Sequence, residues 1–179
     1  MQREAVIERL AGHLLEHGLA RTSLRQLAQA AGVSDRMLLY YFADKAEVLA
    51  AVMARVAGEL SLRLSEAIPD GAQLKPAELV RRAAIFTTGH EMRRFMRLWV
   101  EAVAAAAREE APFPKIVTDV MLGFRLWVDA RLDLVEGADR ASTAAAIIAI
   151  IDGLALVDIC GDDAIAPGIV EALAGLLAD

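Results

Sequence analysis

The chain has 179 residues, of which 56% are hydrophobic and only 5% aromatic, and its abundant alanine and leucine predict an all-α fold. Its one cysteine, Cys160, excludes a disulfide framework and a zinc site built from several cysteines, and we expect neither a metal nor a cofactor. The net charge of −6 is unevenly spread: residues 1–50 are neutral and residues 101–179 carry −9, which excludes nucleic acid as a partner of the C-terminal part.

The first predicted helix begins near the N-terminus, carries Val6, Leu10 and Leu14 on one apolar face, and ends at Gly18. This segment is charged and lacks the apolar stretch of a signal peptide. The longest apolar run, residues 144–151, is shorter than the ~20 residues that a membrane-spanning helix needs. We therefore expect a cytoplasmic protein with no membrane partner.

Residues 22–42 predict two short helices joined by a turn at Gly32. Each helix begins at a capping residue, Thr22 or Ser23 for the first and Ser34 for the second. This arrangement is typical of a helix-turn-helix, whose second helix enters the major groove of DNA. An ordinary helical hairpin with a glycine turn is the alternative for these residues taken alone.

Longer helices are predicted after the motif. Asp44, with Glu47 three residues later, caps a helix that extends to about Ile68. Pro76 can start the next helix at its first turn. The remaining helices are expected from Met92 to about Glu110, from about Lys115 to Val135, from about Arg140 to Ile159, and from Pro167 to Leu177.

One combination of residues in the first 50 positions is fairly specific: Gly18, Thr22-Ser23-Leu24, Leu27-Ala28, Ala31-Gly32-Val33-Ser34, Leu38, Tyr40-Tyr41-Phe42, Lys45 and Leu49. With these residues the chain resembles the TetR family of transcriptional regulators, while the rest of the chain matches that family in layout only. The resemblance implies a three-helix DNA-binding domain with a helix-turn-helix in residues 1–45. It implies a helical ligand-binding and dimerisation domain in residues 46–179.

The resemblance also implies roles for individual residues. Thr22 and Ser23, at a helix start, and Lys45 are expected to hold DNA phosphates. Arg25 is either a further phosphate contact or part of a solvated helix face. Arg36 is the best candidate for reading guanine, because its guanidinium offers a bidentate fork. The candidates for the groove are Ser34, Arg36, Met37, Tyr40 and Tyr41, with one of the two tyrosines expected to pack against the core.

The predicted recognition helix departs from the family pattern. Leu39 stands where the family usually has a tyrosine, and Arg36-Met37 stands where it often has a small pair. Asp35 favours the helix dipole but repels a nearby phosphate. Because of these departures, the operator sequence does not transfer from the resemblance.

The helix predicted from about Arg140 to Ile159 is apolar nearly all round, so it must be buried on several faces. We expect it to form a homodimer interface together with the preceding helix, in an isologous four-helix bundle. A core helix of a monomer is the alternative. The candidate interface residues are Ile116, Val120, Phe124, Trp127, Ile147, Ile148, Ile151 and Leu154.

Several methionine and aromatic side chains are candidates for lining an effector pocket, although residues of this kind at helical spacing also form an ordinary core. His90 is the member that titrates near neutral pH. Arg93, Arg94 and Arg97 are expected on a solvated helix face. The candidate pocket residues are Phe86, His90, Met92, Met96, Trp99, Phe124 and Trp127.

Enzyme motifs are absent from the sequence: it has no glycine-rich phosphate loop, no His-Glu-x-x-His and no Gly-x-Ser-x-Gly. We expect a homodimeric, DNA-binding regulator of transcription, a repressor that a small-molecule effector releases from a palindromic operator. One alternative is a helical small-molecule-binding or interaction module that has lost specific DNA binding. Another is a helical enzyme that uses His90 with a nearby carboxylate.

Overall fold

The computed structural model describes residues 2–20, 22–161, 168, 169 and 172, and this part of the chain is all-α, as predicted. The helix predicted from Pro167 to Leu177 falls almost entirely outside the described residues. Eight helices follow one another within them: α1 (Arg3–His17), α2 (Leu24–Ala31), α3 (Asp35–Tyr41), α4 (Lys45–Ala67), α5 (Pro76–Thr87), α6 (Arg93–Ala107), α7 (Phe113–Asp129) and α8 (Arg140–Cys160).

The short helices begin and end at the residues that local chemistry predicts. The Ser23 hydroxyl accepts a hydrogen bond from the backbone N–H of Gln26 at 3.3 Å, and the Gln26 side chain accepts one from the backbone N–H of Ser23 at 3.1 Å. This capping box satisfies two N–H groups at the start of α2. Gly32 ends α2 with φ of 69°. Ser34 caps α3 by accepting from the N–H of Met37 at 3.2 Å.

The end of α7 differs from the prediction. The helix stops at Asp129, although the apolar pattern predicts helix as far as Val135. The next residues bond elsewhere: the carbonyl of Arg131 accepts from the N–H of Leu74, and the N–H of Asp133 donates to the carbonyl of Leu74, both at 2.8 Å. A pairing with a segment so distant in sequence overrides the local helical preference.

The chain divides into two compact units. The first comprises Met1–Leu60 and Arg97–Val120, and the second comprises Ser61–Met96 and Met121–Asp179. Helices α4, α6 and α7 each contribute residues to both units.

The first unit is built around apolar side chains that α1 to α4 bury completely. They include Leu10 and Leu14 of α1, Leu27 of α2, Leu38 of α3 and Leu49 of α4. Burial of side chains of this size stabilises the unit by ~1.5–3 kcal/mol each. The helix-turn-helix is therefore held by its own core, with its polar face directed outward.

Charged side chains tie the same helices together at the edge of this core. The guanidinium of Arg9 donates to the carbonyl of Ala31 at 3.1 Å, at the end of α2. Arg55 of α4 donates to the carboxylate of Glu8 on α1 at 2.8 Å. These contacts fix α1 against the motif and against the first half of α4.

The second unit has its own core, to which α5, α7 and α8 contribute. Its members are Ile68, Leu79, Val80, Ala83, Val128, Leu132, Ala144, Ile147 and Ile148. Two buried charged groups accompany this apolar cluster, and sequence reasoning missed their roles.

The first of these groups is Arg131, whose side chain is 1% exposed. Its guanidinium donates to the carbonyls of Ile68 at 2.8 Å and Trp127 at 3.0 Å and to the hydroxyl of Ser65 at 3.0 Å, and it pairs with Asp70. It also lies over the Trp127 ring, 4.0 Å from the centroid. These partners compensate for the loss of water around a buried cation.

The second buried charged group is Asp158, whose ion pair with Arg93 differs from the prediction for that arginine. Arg93, predicted on a solvated face, donates to both carboxylate oxygens of Asp158, each at 3.1 Å. Only 4% of the Asp158 side chain is exposed. Arg94, by contrast, is exposed as predicted and lies 5.2 Å from the centroid of the Phe95 ring.

Candidate nucleic-acid interface

The recognition helix α3 presents one face to its unit and the other to solvent. Leu38 is fully buried and anchors the helix, and Phe42 closes the core immediately after it. Arg36 is exposed, and 43% of Met37 and 80% of Tyr40 are accessible. A short helix fixed by buried residues on one side thus offers a cation, a thioether and a phenol on the other.

The two tyrosines of α3 differ in exposure. Tyr40 projects from α3, whereas Tyr41 is half-buried. Their rings meet edge to face, with 5.4 Å between the centroids. This contact restricts the orientation of the exposed Tyr40 ring.

Leu39 is a further exposed residue of this helix, with 46% of its surface accessible. In the sequence, Leu39 stands out only as a departure from the family pattern. Its position beside the buried Leu38 was the available signal, because adjacent residues on a helix point in different directions. An exposed leucine at this place adds an apolar group to a surface that also carries Asp35, Arg36, Met37 and Tyr40.

The N-terminus of α2 is the expected phosphate site. Ser23 is exposed at the cap position, and its hydroxyl also donates to the Gln26 side chain at 2.6 Å. The Thr22 hydroxyl donates to the carbonyl of Leu19 at 3.0 Å. The caps fix the first turn of α2, whose positive dipole end favours an anion.

A second expected phosphate contact, Lys45, is the exposed first residue of α4. The preceding Asp44 accepts from the N–H of Glu47 at 2.8 Å, and the Glu47 carboxylate accepts from the N–H of Ala43 at 2.7 Å. These bonds confirm the predicted Asp-x-x-Glu cap. Within the described residues, Lys45 forms no ion pair, and neither do Arg25 and Arg36.

The turn between α1 and α2 makes a contact that sequence reasoning missed. The backbone N–H of Leu19 donates to a carboxylate oxygen of Glu101, on α6, at 2.6 Å. Gly18, the preceding residue, has φ of 68°. The sequence predicted Gly18 only as a helix end, and no local pattern indicates a partner 82 positions away.

The candidate pocket residues are distributed over both units. Trp99 belongs to the first unit, and the other six belong to the second. Met92 and Met96 are buried there, whereas His90 lies exposed in the turn between α5 and α6. Phe86, Phe124 and Trp127 are half-buried, and the indole N–H of Trp127 donates to Ser65 at 2.9 Å.

The candidate dimer residues are largely covered within one chain. Four of them are buried side chains: Ile116 in the first unit, and Ile147, Ile148 and Leu154 in the second. Val120, Phe124, Trp127 and Ile151 are half-buried. The most exposed apolar side chains of α7 and α8 are different residues, namely Leu122, Leu126, Leu156 and Val157.

One stripe of α8 is uncovered along its length. Ala145, Ala149 and Gly153 recur every four residues on it, followed by Leu156 and Val157. A Cβ placed on Gly153 would meet no other atom within 4 Å. By length and composition α8 is apolar enough to cross a membrane, a property that core helices of soluble proteins share, and 28% of its apolar window is buried within the chain.

Comparisons with known proteins agree with this geometry. A family model described as bacterial regulatory proteins, tetR family, matches residues 11–52, which span the helix-turn-helix. The HTH-type transcriptional regulator PksA of Bacillus subtilis (strain 168) is 29% identical over 161 residues, which cover 87% of this chain and 77% of PksA.

Two solved structures share the fold. A transcriptional regulator from Rhodococcus sp. Rha1 superposes with a TM-score of 0.77 at 23% identity, over 99% of this chain and 96% of its own. A TetR-family transcriptional regulator from Cytophaga hutchinsonii superposes with a TM-score of 0.76 at 18% identity, over 98% and 92% of the two chains. The helix-turn-helix segment of this chain is therefore similar to that of the bacterial regulatory proteins of the tetR family.

Proposed function

We propose that this protein is a homodimeric repressor that binds a palindromic DNA operator through α3 and leaves it when a small-molecule effector binds. The observation that carries the proposal is the surface of α3. Arg36, Met37, Leu39 and Tyr40 are exposed on a helix whose inner side is fixed by the fully buried Leu38. A helix presented in this way fits a major groove about 12 Å wide.

Four exposed residues of α3 have a suitable partner on a base edge or on the backbone, whereas the exposed Asp35 repels a phosphate. The Arg36 guanidinium is unpaired within the described residues and can donate two parallel bonds to guanine. Met37 and Leu39 offer apolar contact to thymine methyl groups, and the Tyr40 hydroxyl suits a phosphate oxygen. We therefore expect guanine and thymine in each half-site.

Phosphate contacts on both sides of α3 would set its register in the groove. The first turn of α2, capped by Ser23, and the ammonium group of Lys45 are the proposed contacts. Arg25 is exposed on the same turn of α2 and adds a further cation. These groups would bind any DNA sequence, leaving discrimination to α3.

A second copy of the chain is the proposed cover for the exposed face of α7 and α8. The alanine and glycine stripe of α8 allows close approach of another helix, and Leu126 and Leu156 supply apolar area beside it. Two-fold pairing of such a helix pair forms a four-helix bundle. The symmetry of that dimer would match the symmetry of a palindromic operator.

The second unit is the proposed effector domain, with Met92, Met96, Phe86 and Phe124 as apolar contacts. An apolar or aromatic effector of low charge suits these side chains. Helix α4 contributes to both units, so it is the proposed transmitter. A shift in the spacing of the two α3 helices would prevent both half-sites from being engaged together. A cytoplasmic location is part of the same proposal, because the operator DNA lies there.

Selection of bound duplexes from a random DNA pool tests the proposal and yields the operator sequence in the same experiment. We expect the full-length protein to enrich an inverted repeat, with half-sites about one helical turn apart. The Arg82→Ala variant, which loses an exposed cation of α5 in the second unit, should enrich the same sequence. A pool without enrichment would contradict the proposal and favour a module that does not read DNA.

A further inference from the structure

Glu101 contacts the turn that leads into the DNA-binding motif. Its carboxylate accepts the backbone N–H of Leu19 at 2.6 Å. Glu101 belongs to the part of α6 in the first unit, and its side chain is exposed. The Glu101 carboxylate is therefore not forced into this contact by burial. The hydrogen bond holds the irregular backbone between α1 and α2.

Gly18 is shaped to admit this carboxylate. Its φ of 68° and ψ of −161° lie in a region that is essentially restricted to glycine. A Cβ on Gly18 would lie 2.7 Å from one oxygen of Glu101 and 2.9 Å from its carboxyl carbon. The glycine thus ends α1 and also leaves the space into which the Glu101 side chain fits.

The contact continues to the proposed phosphate site. The N–H of Leu19 is held by Glu101, and its carbonyl accepts the hydroxyl of Thr22 at 3.0 Å. Thr22 directly precedes Ser23, whose capping box with Gln26 sets the first turn of α2. Two hydrogen bonds therefore connect α6, through Leu19, to Thr22, the residue that directly precedes the capped start of α2.

The charge of Glu101 points to a geometric role. A carboxylate in the DNA-binding unit repels the DNA backbone, so its charge alone weakens binding. A carboxylate that is electrostatically unfavourable for DNA and yet accepts a 2.6 Å hydrogen bond from the turn before the motif is best explained by the position it gives to that turn.

We propose that Glu101 is a positioning residue for DNA binding, which holds the Leu19 peptide so that Thr22 and the start of α2 meet a phosphate. This inference rests on the proposed function. It assigns a residue of α6, outside the helix-turn-helix, to the binding of the DNA backbone.

Two substitutions of Glu101 distinguish a role in positioning the turn from an effect of its charge on DNA binding. Glu101→Gln removes the charge but keeps an acceptor for the Leu19 N–H, whereas Glu101→Ala removes both. If Glu101 positions the turn, the alanine variant binds the selected operator about tenfold more weakly, and the glutamine variant stays within about twofold of wild type. If Glu101 acts through its charge alone, both variants bind at least as tightly as wild type, and the inference is wrong.

A double-mutant cycle with Thr22→Val tests the proposed route. The valine keeps the shape of threonine and lacks the hydroxyl that bonds to Leu19. In the Glu101→Ala background the Thr22 substitution should cost less than half of its effect in wild type. Independent, additive effects would show that Glu101 does not act through this turn.

Amide hydrogen exchange of the Leu19 and Ser23 N–H groups, without DNA, tests the positioning separately from function. The exchange should be several-fold faster in Glu101→Ala than in wild type or Glu101→Gln, while thermal unfolding of all three remains similar. Unchanged exchange would overturn the inference. Failure of the wild-type protein to bind any DNA would contradict the proposed function, and with it the phosphate role, whatever the exchange result.

Discussion

Arg93 and Asp158 join α6 to α8 inside the second unit through two hydrogen bonds of 3.1 Å. The Asp158 side chain is 4% exposed and that of Arg93 is 19% exposed. Water therefore screens this pair much less than it screens the exposed pairs on the helix surfaces. Removing one partner leaves a charge that the surroundings cannot solvate fully.

We predict that Asp158→Ala lowers the free energy of unfolding by ~3 kcal/mol, because it removes two hydrogen bonds that compensate the largely buried Arg93 guanidinium for its lost water. Urea unfolding followed by circular dichroism measures the loss. The control is Asp119→Ala, which removes the partner of Lys115 in an exposed pair on α7 and should cost less than ~0.5 kcal/mol. Equal losses in the two variants would show that the buried pair contributes no more to stability than the exposed pair.

A second prediction concerns Gly18. Gly18→Ala should lower the free energy of unfolding by ~1–3 kcal/mol, because its backbone conformation disfavours a side chain and the added Cβ meets Glu101. The double variant with Glu101→Ala removes the clash and should recover part of this loss. Thermal unfolding of the three variants checks the prediction, and a strictly additive double variant would contradict the close contact.

The sequence preference of binding should depend on Arg36. We predict that Arg36→Ala weakens operator binding by ~1–3 kcal/mol and relaxes the preference at one base pair of each half-site. Fluorescence anisotropy on operators with single base changes measures both effects. Arg82→Ala removes the same charge from α5 of the second unit and should leave the preference intact. An unchanged preference in the Arg36 variant would remove this residue from base recognition.

Lys45 should act on all sequences alike. We predict that Lys45→Ala weakens operator and scrambled DNA by the same factor, and that the slope of log affinity against log salt falls by about one. Titrations at four salt concentrations give this slope. Lys75→Ala, at an exposed position before α5, is the matched control. A loss confined to the operator would mean that Lys45 contacts a base.

The dimer should depend on the exposed stripe of α8. Leu156→Arg places a charge on the proposed interface, near a helix C-terminus where a cation does not disturb folding. We predict that sedimentation equilibrium gives the 19.2 kDa of one chain for this variant and twice that mass for wild type. Val135→Arg, at an exposed loop position, should remain dimeric. A dimer that survives Leu156→Arg would place the interface elsewhere.

Local chemistry was sufficient to predict the helix-turn-helix. Ser23 and Ser34 cap the helices that follow them, and Gly32 adopts the left-handed turn, because these features depend on residues within one helical turn. The same holds for the cap at Asp44 and Glu47.

Features that depend on distant residues were not predictable in the same way. The pairing of Leu74 with the segment after α7 ends that helix early, and Glu101 meets a turn 82 residues away in sequence. In α8 nearly every side chain is apolar, so periodicity does not reveal which face is inward. The structure buries Ile147 and Ile148 and leaves the stripe with Ala149 exposed.

Binding of the purified wild-type protein to the DNA upstream of its own gene tests whether α3 reads DNA. Fluorescence anisotropy at two salt concentrations, with scrambled DNA of equal length as the control, is the measurement. We predict tight binding to the upstream DNA, weak binding to the control, and a marked loss of both at higher salt. Equally weak binding to the two duplexes, together with an unenriched random pool, would contradict the claim that α3 reads DNA.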